Sequence, residues 1–336
     1  MKRRKVFQFN TELFKVTGIQ RVLLDIHEAL KEEFDVKIVG NLPFDKVNGS
    51  LGISEDDYVR FKTPLMFRNS VVIIHERRLL PFMWILTHVP GLNIKCIYVH
   101  HNELYGNKKL SLFPKNIVAI SDAGIKNLTD YFGVPKARIT KIYNCVRETS
   151  SCKPRTNEFN PNNITILYPA RINNVKRQIE IVNNLTGKLD TRIKILFAGD
   201  GPQFKELDKL CNGSVQFKAL GFIDGISKLI YQSDFMMLFS TQEGLPISLI
   251  EGASFSTPLI CNDVGGNYEI AQEGRNLIKI SDWVTLSSIL NRLTSMSGEK
   301  YKSLSENSRN IYINNFTFDN FKYKYILLIK RIYENS

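Results

Sequence analysis

The sequence predicts an α/β protein made of two doubly wound domains, each built on a mostly parallel β-sheet. Short apolar segments alternate with amphipathic segments along the whole chain of 336 residues. Most of the apolar segments are continuous, as expected of strands that are buried on both faces of a parallel sheet. About six of them lie in each half of the chain, and this βαβα order is typical of doubly wound architecture.

The first half contains six candidate strands, which are KVFQF, VKIV, VVII, IKCIYV, NIVAI and ITKIY. After the first of them, residues 19–30 carry apolar side chains at the i, i+3, i+4 and i+7 spacing of one helical face. The apolar segment 79–84 follows Arg77 and Arg78. It fits an interfacial membrane helix, but a core helix that follows the strand VVII is favoured.

A polar, proline-bearing segment without periodicity, residues 147–163, predicts a linker between the domains. We therefore expect an N-terminal domain over residues 1–150 and a C-terminal domain over residues 160–317. The second half contains the candidate strands ITILYP, IKILFA, VQFKAL, FMMLF, PLICN and NLIKI. The tail, residues 318–333, is predicted to form one basic, aromatic, amphipathic helix.

The formal net charge of +12 indicates an anionic partner. Nucleic acid is disfavoured, because the sequence has no zinc-finger spacing and no RNP-type motif, and its cations are spread along the chain. An anionic membrane surface or a phosphate-bearing ligand fits better. The N-terminus does not resemble a signal peptide, no apolar segment is long enough to span a membrane, and five scattered cysteines suggest reduced thiols. We therefore expect a cytoplasmic protein.

Polar, basic and glycine residues follow the candidate strands, where ligands bind in open α/β sheets. In the first half these residues are His100, His101, Ser121 and Asn144. In the second half they include Arg171, Lys176, Gly201 and Glu243. If the carboxyl ends of the strands meet at one edge of each sheet, these residues predict a cleft between two domains.

Several of these residues allow two interpretations. Arg171 and Lys176 suit a diphosphate, although a solvated basic loop explains them about equally well by itself. His100 and His101 point to opposite faces of a strand, so at most one of them aims into a cleft. No cluster of His, Asp or Glu has metal-ligand spacing, so no metal site is expected.

The segment EGLPISLIE supplies the most specific motif, in which Glu243 and Glu251 form E-x7-E. It resembles the signature of retaining GT-B glycosyltransferases of the family 4 type, also described as glycosyl transferases group 1. PARINNVKRQ, FAGDGPQ, LGFID, PLICNDVGGNYEIAQEGRNLI and VAISDAGIKNLTDYFGVPKARITKIYNCV fall in the order of that family. The resemblance implies two Rossmann-like parallel-sheet domains that face each other across a cleft. It also implies that the C-terminal helix, residues 318–336, packs back on the first domain.

The resemblance implies a role for each matching residue. Arg171 and Lys176 would neutralise the donor diphosphate, Glu251 would bind the ribose, and Glu243 would contact the transferred sugar. The other donor-binding residues would be Gly18, Gly201, Phe222, Ile223, Gly244, Leu245, Pro246 and Ile247. His101 or His100 would lie near the reacting sugar, and Ser121 and Asn144 would lie on the acceptor side. The family often has two glycines where this chain has Thr17 and Gly18, and Asn-Gly-Val where it has Asn144, Cys145 and Val146.

The spacing of the two glutamates also bears on the ligand. Pro246 suits the first turn of a helix, and eight residues of continuous helix span about 12 Å. The carboxyl groups of a glycosidase pair lie closer, at roughly 5 to 9.5 Å. Glu243 and Glu251 are therefore expected to hold two ends of one long ligand, as a nucleotide sugar would require.

Together these observations predict a retaining, metal-independent glycosyltransferase that needs no cofactor and uses a nucleoside-diphosphate sugar. UDP is the favoured nucleotide and GDP the next. A glycan or lipid-linked acceptor of polysaccharide or lipopolysaccharide synthesis, at the inner face of the cytoplasmic membrane, fits the basic charge. The alternatives are another GT-B enzyme, such as an epimerase or a phosphorylase, and a non-catalytic scaffold that binds sugar nucleotides.

Overall fold

The computed structural model describes residues 3–148 and 158–334 and divides into two compact units. The first unit is Met1–Cys145 with Phe318–Ser336, and the second is Val146–Thr317. Most of the predicted linker, including Cys152, lies outside the described residues. Each unit is a Rossmann-like parallel sheet with helices, so the predicted fold class is confirmed.

The sheet of the first unit has seven parallel strands in the order β3-β2-β1-β4-β5-β6-β7. The strand order reverses between β1 and β4, which makes this the topological switch point. The strands are β1 Lys5–Phe9, β2 Asp35–Gly40, β3 Tyr58–Arg60, β4 Val71–Ile74, β5 Lys95–His100, β6 Asn116–Ala119 and β7 Ile139–Lys141.

Four helices belong to the first unit: α1 Gly18–Leu30, α2 Leu80–His88, α3 Asp122–Lys126 and, from the end of the chain, α11 Phe318–Glu334. A π-helical segment, Asn127–Tyr131, continues α3. Helix α11 packs on α1, because its apolar side chains at 321, 325, 329 and 332 lie on one face and are buried.

The sheet of the second unit has six parallel strands in the order β10-β9-β8-β11-β12-β13. Its switch point lies between β8 and β11. The strands are β8 Ile164–Pro169, β9 Ile193–Ala198, β10 Phe217–Gly221, β11 Phe235–Leu238, β12 Leu259–Cys261 and β13 Leu277–Lys279. The helices are α4 Gln178–Leu185, α5 Phe204–Cys211, α6 Ser227–Gln232, α7 Ile247–Ser254, α8 Asn267–Ile270, α9 Trp283–Asn291 and α10 Gly298–Asn315.

Helix α2 occupies the apolar segment that allowed two interpretations. Leu80, Met83 and Leu86 are buried, as the core interpretation predicts. Trp84 and Ile85 on the other side of the helix are exposed. Among the described residues, no helix has the length and apolar character that crossing a bilayer requires.

The packing of α11 gives a direct test of what anchors the end of the chain. Ile329 is completely buried and Leu327, two residues earlier, is 47% exposed. We expect Ile329→Ala to lower the free energy of unfolding by about 2 to 5 kcal/mol, because it leaves a cavity against the first unit. Leu327→Ala is the matched control and should change it by less than about 0.5 kcal/mol. Urea unfolding followed by circular dichroism measures both, and equal changes would contradict the packing described.

Candidate functional site

In the second unit, the loop that follows β8 carries the two predicted cations. Arg171 is exposed and Lys176 is half-buried. The loop is held by its own side chains: the Asn173 Oδ1 accepts from the Lys176 backbone N–H at 3.1 Å, and the Gln178 amide donates to the Arg171 carbonyl at 3.1 Å. Both cations are therefore presented by an ordered turn at the carboxyl end of a buried strand.

Lys176 forms an ion pair with Glu243, which follows β11. Glu243 is only 7% exposed, so this pair is shielded from water more than a surface salt bridge is. The Thr241 backbone N–H also donates to the Val175 carbonyl at 2.9 Å. The structure thus brings together one predicted cation and one predicted carboxylate from two neighbouring strand ends.

Buried Tyr168, which the sequence analysis missed, supports the same two loops. Its hydroxyl donates to the Lys176 carbonyl at 2.7 Å and accepts from the Phe239 backbone N–H at 2.9 Å. Burial raises the pKa of Tyr168, so the hydroxyl stays protonated and keeps this donor role. In the sequence Tyr168 is one more apolar-looking position of a strand, so its hydroxyl gave no signal.

The segment between the two glutamates is only partly helical, which corrects the sequence-based expectation. Helix α7 begins at Ile247, with Pro246 as the residue before its first turn. Residues 243–246 are therefore not helical, and the span of about 12 Å for eight helical residues does not apply. The Pro246 carbonyl accepts from the Leu249 N–H at 3.1 Å, at the start of α7. Glu251 lies within α7 and is half-buried.

Two glycines bring neighbouring loops into backbone contact. Gly265 has φ +57°, and a Cβ at this position would overlap the Glu243 carbonyl. The next N–H, of Gly266, donates to the Gly244 carbonyl at 2.7 Å. Likewise, a Cβ at Gly201 would overlap the Ile172 carbonyl. Gly201 therefore packs the loop after β9 against the loop after β8.

The remaining predicted donor-binding residues of the second unit lie at the same strand ends. Phe222, just after β10, is 77% exposed, and its neighbour Ile223 is half-buried. Gly244, Leu245 and Pro246 are buried, and Ile247 is half-buried. Arg177, which the sequence analysis did not single out, places its guanidinium 5.3 Å from the ring centres of both Phe239 and Trp283.

In the first unit, the two consecutive histidines at the end of β5 have different surroundings. His100 is fully buried, and its Nε2 is 3.1 Å from the Asn127 Oδ1. His101 is 7% exposed and its ring stacks on His75, with 5.2 Å between ring centres. His75 follows β4, which borders the switch point of this sheet. His101 is therefore the histidine of the pair that lies beside the switch point of this sheet.

A chain of hydrogen bonds fixes the tautomer of His101. The Gln8 amide donates to the Leu23 carbonyl at 2.9 Å, so the Gln8 Oε1, 3.2 Å from the His75 Nε2, must accept. His75 is therefore protonated on Nε2. Burial lowers its pKa to about 3, so it is neutral and its Nδ1 accepts. The His101 Nε2, 3.0 Å away, must then donate, which leaves the His101 Nδ1 as a hydrogen-bond acceptor.

The other predicted residues of the first unit lie at a helix start or in buried positions. Gly18 is the exposed first residue of α1, and the hydroxyl of Thr17 caps that helix by accepting from the Ile19 N–H at 3.2 Å. Ser121 is buried and caps α3 by accepting from the Gly124 N–H at 3.0 Å. Asn144 is buried.

Within the described parts of both units, no group of three or more His, Cys, Asp or Glu side chains is placed to hold a metal ion. In the second unit, the structure brings together predicted site residues on the loops after β8, β9, β11 and β12. In the first unit it brings together His101 and His75 at the switch point.

Known proteins resemble this chain in sequence. The family described as Glycosyl transferases group 1 matches residues 152–311. The Escherichia coli O-antigen biosynthesis glycosyltransferase WbnH is 26% identical over 200 residues, which are 56% of this chain and 56% of that protein. The chain therefore spans little more than half the length of this curated relative.

Solved structures share the fold over nearly the whole chain. Anabaena Alr3699/HepE in complex with UDP has a TM-score of 0.82 at 15% identity and covers 98% of this chain and 100% of its own. A glycosyltransferase from Rickettsia africae also has a TM-score of 0.82, at 18% identity, with 100% of both chains covered. The chain therefore has the GT-B fold of these glycosyltransferases.

The close contact at Gly265 predicts that substitution of this glycine lowers stability more than substitution of another glycine with positive φ. Gly265 and Gly274 both have positive φ, +57° and +76°, but only Gly265 has backbone where a Cβ would lie. Gly274→Ala should therefore cost about 1 to 2 kcal/mol from the left-handed conformation alone. Gly265→Ala should cost clearly more, because the loop must also move off the Glu243 carbonyl. Urea unfolding measures the difference, and identical costs would refute the contact.

The hydrogen-bond chain in the first unit predicts the protonation of its histidines. In long-range ¹H–¹⁵N spectra we expect His75 and His101 to be neutral Nε2–H tautomers that do not change between pH 8 and pH 5. Gln8→Glu places a carboxylate next to the His75 Nε2–H and should raise the pKa of His75. Gln232→Glu, in the second unit, should leave it unchanged. A His75 resonance that shows the Nδ1–H tautomer in the unaltered protein would overturn the assignment.

The same burial predicts how stability depends on pH. The pKa of His75 is lowered to about 3 in the folded protein, from an ordinary value of 6.5. Between these values the unfolded chain binds a proton that the native protein does not bind, so acid favours unfolding. Stability should therefore fall as the pH is lowered below about 6.5, by up to about 1.4 kcal/mol per pH unit from His75. Thermal melts of the unaltered protein and of His75→Phe should diverge in this range.

Proposed function

We propose that this protein is a retaining glycosyltransferase, of the family 4 type, that uses a nucleoside-diphosphate sugar. The sugar would pass to a hydroxyl of a glycan or lipid-linked acceptor in cell-surface polysaccharide or lipopolysaccharide synthesis. The proposal is supported by the Glycosyl transferases group 1 match over residues 152–311, which contain both cations and both glutamates of the candidate site. It is also supported by WbnH, which is described as an O-antigen biosynthesis glycosyltransferase.

The ion pair between Lys176 and Glu243 is the structural observation that best supports this proposal. A cation and a carboxylate at two adjacent strand ends match a ligand that is anionic at one part and rich in hydroxyls at another. When a donor binds, the Lys176 ammonium would exchange its carboxylate partner for a diphosphate oxygen. Glu243 would then accept hydrogen bonds from the hydroxyls of the sugar. Exposed Arg171 would provide the second positive charge on the diphosphate.

The rest of the donor fits the neighbouring strand ends. Glu251 would accept from the ribose hydroxyls, and the turn of residues 244–247 at the start of α7 would present backbone N–H groups to the donor. Exposed Phe222 and its neighbour Ile223 would line the nucleobase. Gly201 would contribute by holding the loop of Arg171 in place. UDP is the proposed nucleotide, supported by the similarly folded HepE, whose structure is a complex with UDP.

The first unit would supply the groups around the reacting sugar. The His101 Nδ1, fixed as an acceptor by His75, suits a sugar hydroxyl as its donor. His100 would support the strand end from its buried position. Gly18, as the first residue of α1, would let backbone N–H groups approach the diphosphate. Ser121 and Asn144 would shape the acceptor side.

The reaction we propose needs neither a metal ion nor a cofactor. The bond between the anomeric carbon and the phosphate oxygen breaks, and Arg171 and Lys176 stabilise the charge that develops on the leaving diphosphate. The acceptor hydroxyl oxygen forms the new bond on the same face of the sugar, so the anomeric configuration is retained. Its proton passes to the departing phosphate oxygen, which balances the charge. We propose that the enzyme acts at an anionic membrane surface on the cytoplasmic side, because its net charge of +12 would attract it to such a surface.

Ligand binding and two variants test this function. UDP should raise the melting temperature more than GDP or ADP, because a ligand that binds only the native protein stabilises it. Arg171→Ala and Glu243→Gln should each lower kcat/KM for transfer from a UDP-sugar by about 10²- to 10³-fold. Arg171→Ala should leave stability unchanged because Arg171 is exposed. Lys188→Ala, an exposed lysine elsewhere in the second unit, is the matched control and should keep full activity.

The outcomes separate the alternatives. Conversion of the UDP-sugar into an epimeric UDP-sugar, with no acceptor product, would indicate an epimerase. Binding of UDP without turnover of any UDP-sugar, in the presence of an acceptor extract, would indicate a scaffold. Unchanged transfer by both variants would remove Arg171 and Glu243 from the donor site.

A further inference from the structure

Helix α2 has an apolar side that the fold leaves exposed. Its sequence, LPFMWILTH, contains no Asp, Glu, Lys or Arg. Leu80 and Met83 are buried, but Trp84 is 45% exposed, Ile85 is 56% exposed and Val89, just after the helix, is 40% exposed. A helix that is apolar all round normally lies inside a protein or in lipid. Within residues 3–148 and 158–334, no apolar surface fully covers the exposed side of α2.

A cavity of about 590 Å³ opens next to this helix, at the edge of the sheet where β5 and β6 begin. Its size is that of a small-molecule pocket. Much of the wall is apolar and includes Met83, Ile94 and Phe113. The same cavity is lined by three cationic side chains, Lys95, Lys115 and Arg138, and by no Asp or Glu. It therefore combines an apolar interior with positive charge, which suits an anionic amphiphile.

The charge of the segment that contains α2 is mostly positive, although Arg78 is paired with Glu76. Residues 77–116 contain one acidic residue, Glu103, and six basic residues, namely Arg77, Arg78, Lys95, Lys108, Lys109 and Lys115. This segment of 40 residues thus holds a net +5 of the total +12. We define the α2 face as Trp84, Ile85, Val89 and exposed Leu112 together with Lys95 and Lys115.

We propose that the α2 face binds an anionic lipid bilayer, with Trp84 and Ile85 in the headgroup region and lysines on the lipid phosphates. Tryptophan favours the membrane–water interface, and each Lys or Arg near an anionic surface contributes about 1 kcal/mol. A second copy of this chain fits less well, because a symmetric interface would bring this basic surface against itself. Through the α2 face the proposed enzyme would reach a lipid-linked acceptor, and to that extent the inference rests on the proposed function.

Fluorescence gives the most direct test, because the chain has only two tryptophans. In a Trp283→Phe protein, Trp84 is the only reporter. Vesicles of phosphatidylcholine with phosphatidylglycerol should shift its emission to shorter wavelength, and vesicles of phosphatidylcholine alone should shift it much less. High salt should weaken the shift, because it screens exposed charges.

Co-sedimentation with the same anionic vesicles identifies the residues responsible. The double variant Trp84→Ser with Ile85→Ser, and separately Lys115→Glu, should each bind at least tenfold more weakly than the unaltered protein. The matched controls are Val284→Ser and Lys188→Glu, which change an exposed valine and an exposed lysine of the second unit and should bind normally. Circular dichroism melts check that each variant is folded, and Lys115→Glu keeps the test valid if the double variant is not.

Each outcome is decisive. Normal binding by the α2 variants, or no binding of the unaltered protein to anionic vesicles at physiological salt, overturns the proposal. A lipid-free dimer that dissociates in the Trp84 variant, without vesicle binding, overturns it in favour of a second copy. The vesicle assay needs no nucleotide and no acceptor, so failure of glycosyl transfer with intact vesicle binding would count against the proposed function alone.

Discussion

The candidate site of the second unit depends on backbone-to-backbone contact between loops that leave the same edge of a parallel sheet. Gly201 and Gly265 make these contacts possible, since a Cβ at either position would overlap a neighbouring carbonyl. With any other residue at Gly201 the loops after β8 and β9 would have to move apart, and the same holds at Gly265 for the loops after β11 and β12. The ion pair of Lys176 and Glu243 joins the loops after β8 and β11, which are also linked by the hydrogen bond from the Thr241 N–H to the Val175 carbonyl.

Both units place their most constrained polar groups at a topological switch point, but they hold them by different means. In the second unit, opposite charges meet, and loss of one partner would leave a poorly solvated charge behind. In the first unit, neutral groups meet, and the chain Gln8–His75–His101 is ordered by the direction of its hydrogen bonds. The ion pair of the second unit would respond to an incoming anion, as the proposed function requires. The histidines of the first unit offer one fixed acceptor at any pH above the range of their lowered pKa values.

The sequence was sufficient where a feature depends on local pattern. The continuous apolar segments predicted twelve strands, whereas the edge strand β3, three residues long and half exposed, gave no such pattern. The motif residues Arg171, Lys176 and Glu243 could be found because they follow buried strands. The supporting residues could not be found in this way: Tyr168 contacts the Lys176 loop and His75 contacts His101 through separate strands, which no local spacing encodes. The helical span expected between Glu243 and Glu251 was wrong because Pro246 precedes the helix instead of lying within it.

Strand β5 runs from the cavity beside α2 to the edge of the sheet where His101 lies. Lys95 lines the cavity beside α2, and His100 ends the strand next to His101. Five steps of about 3.3 Å separate them, or roughly 17 Å. A bilayer bound at the α2 face would thus lie at about that height from the His101 end of the sheet. The length of the strand thus sets this distance. A membrane-anchored acceptor would need a headgroup of comparable length, such as an oligosaccharide, for its terminal hydroxyl to reach His101.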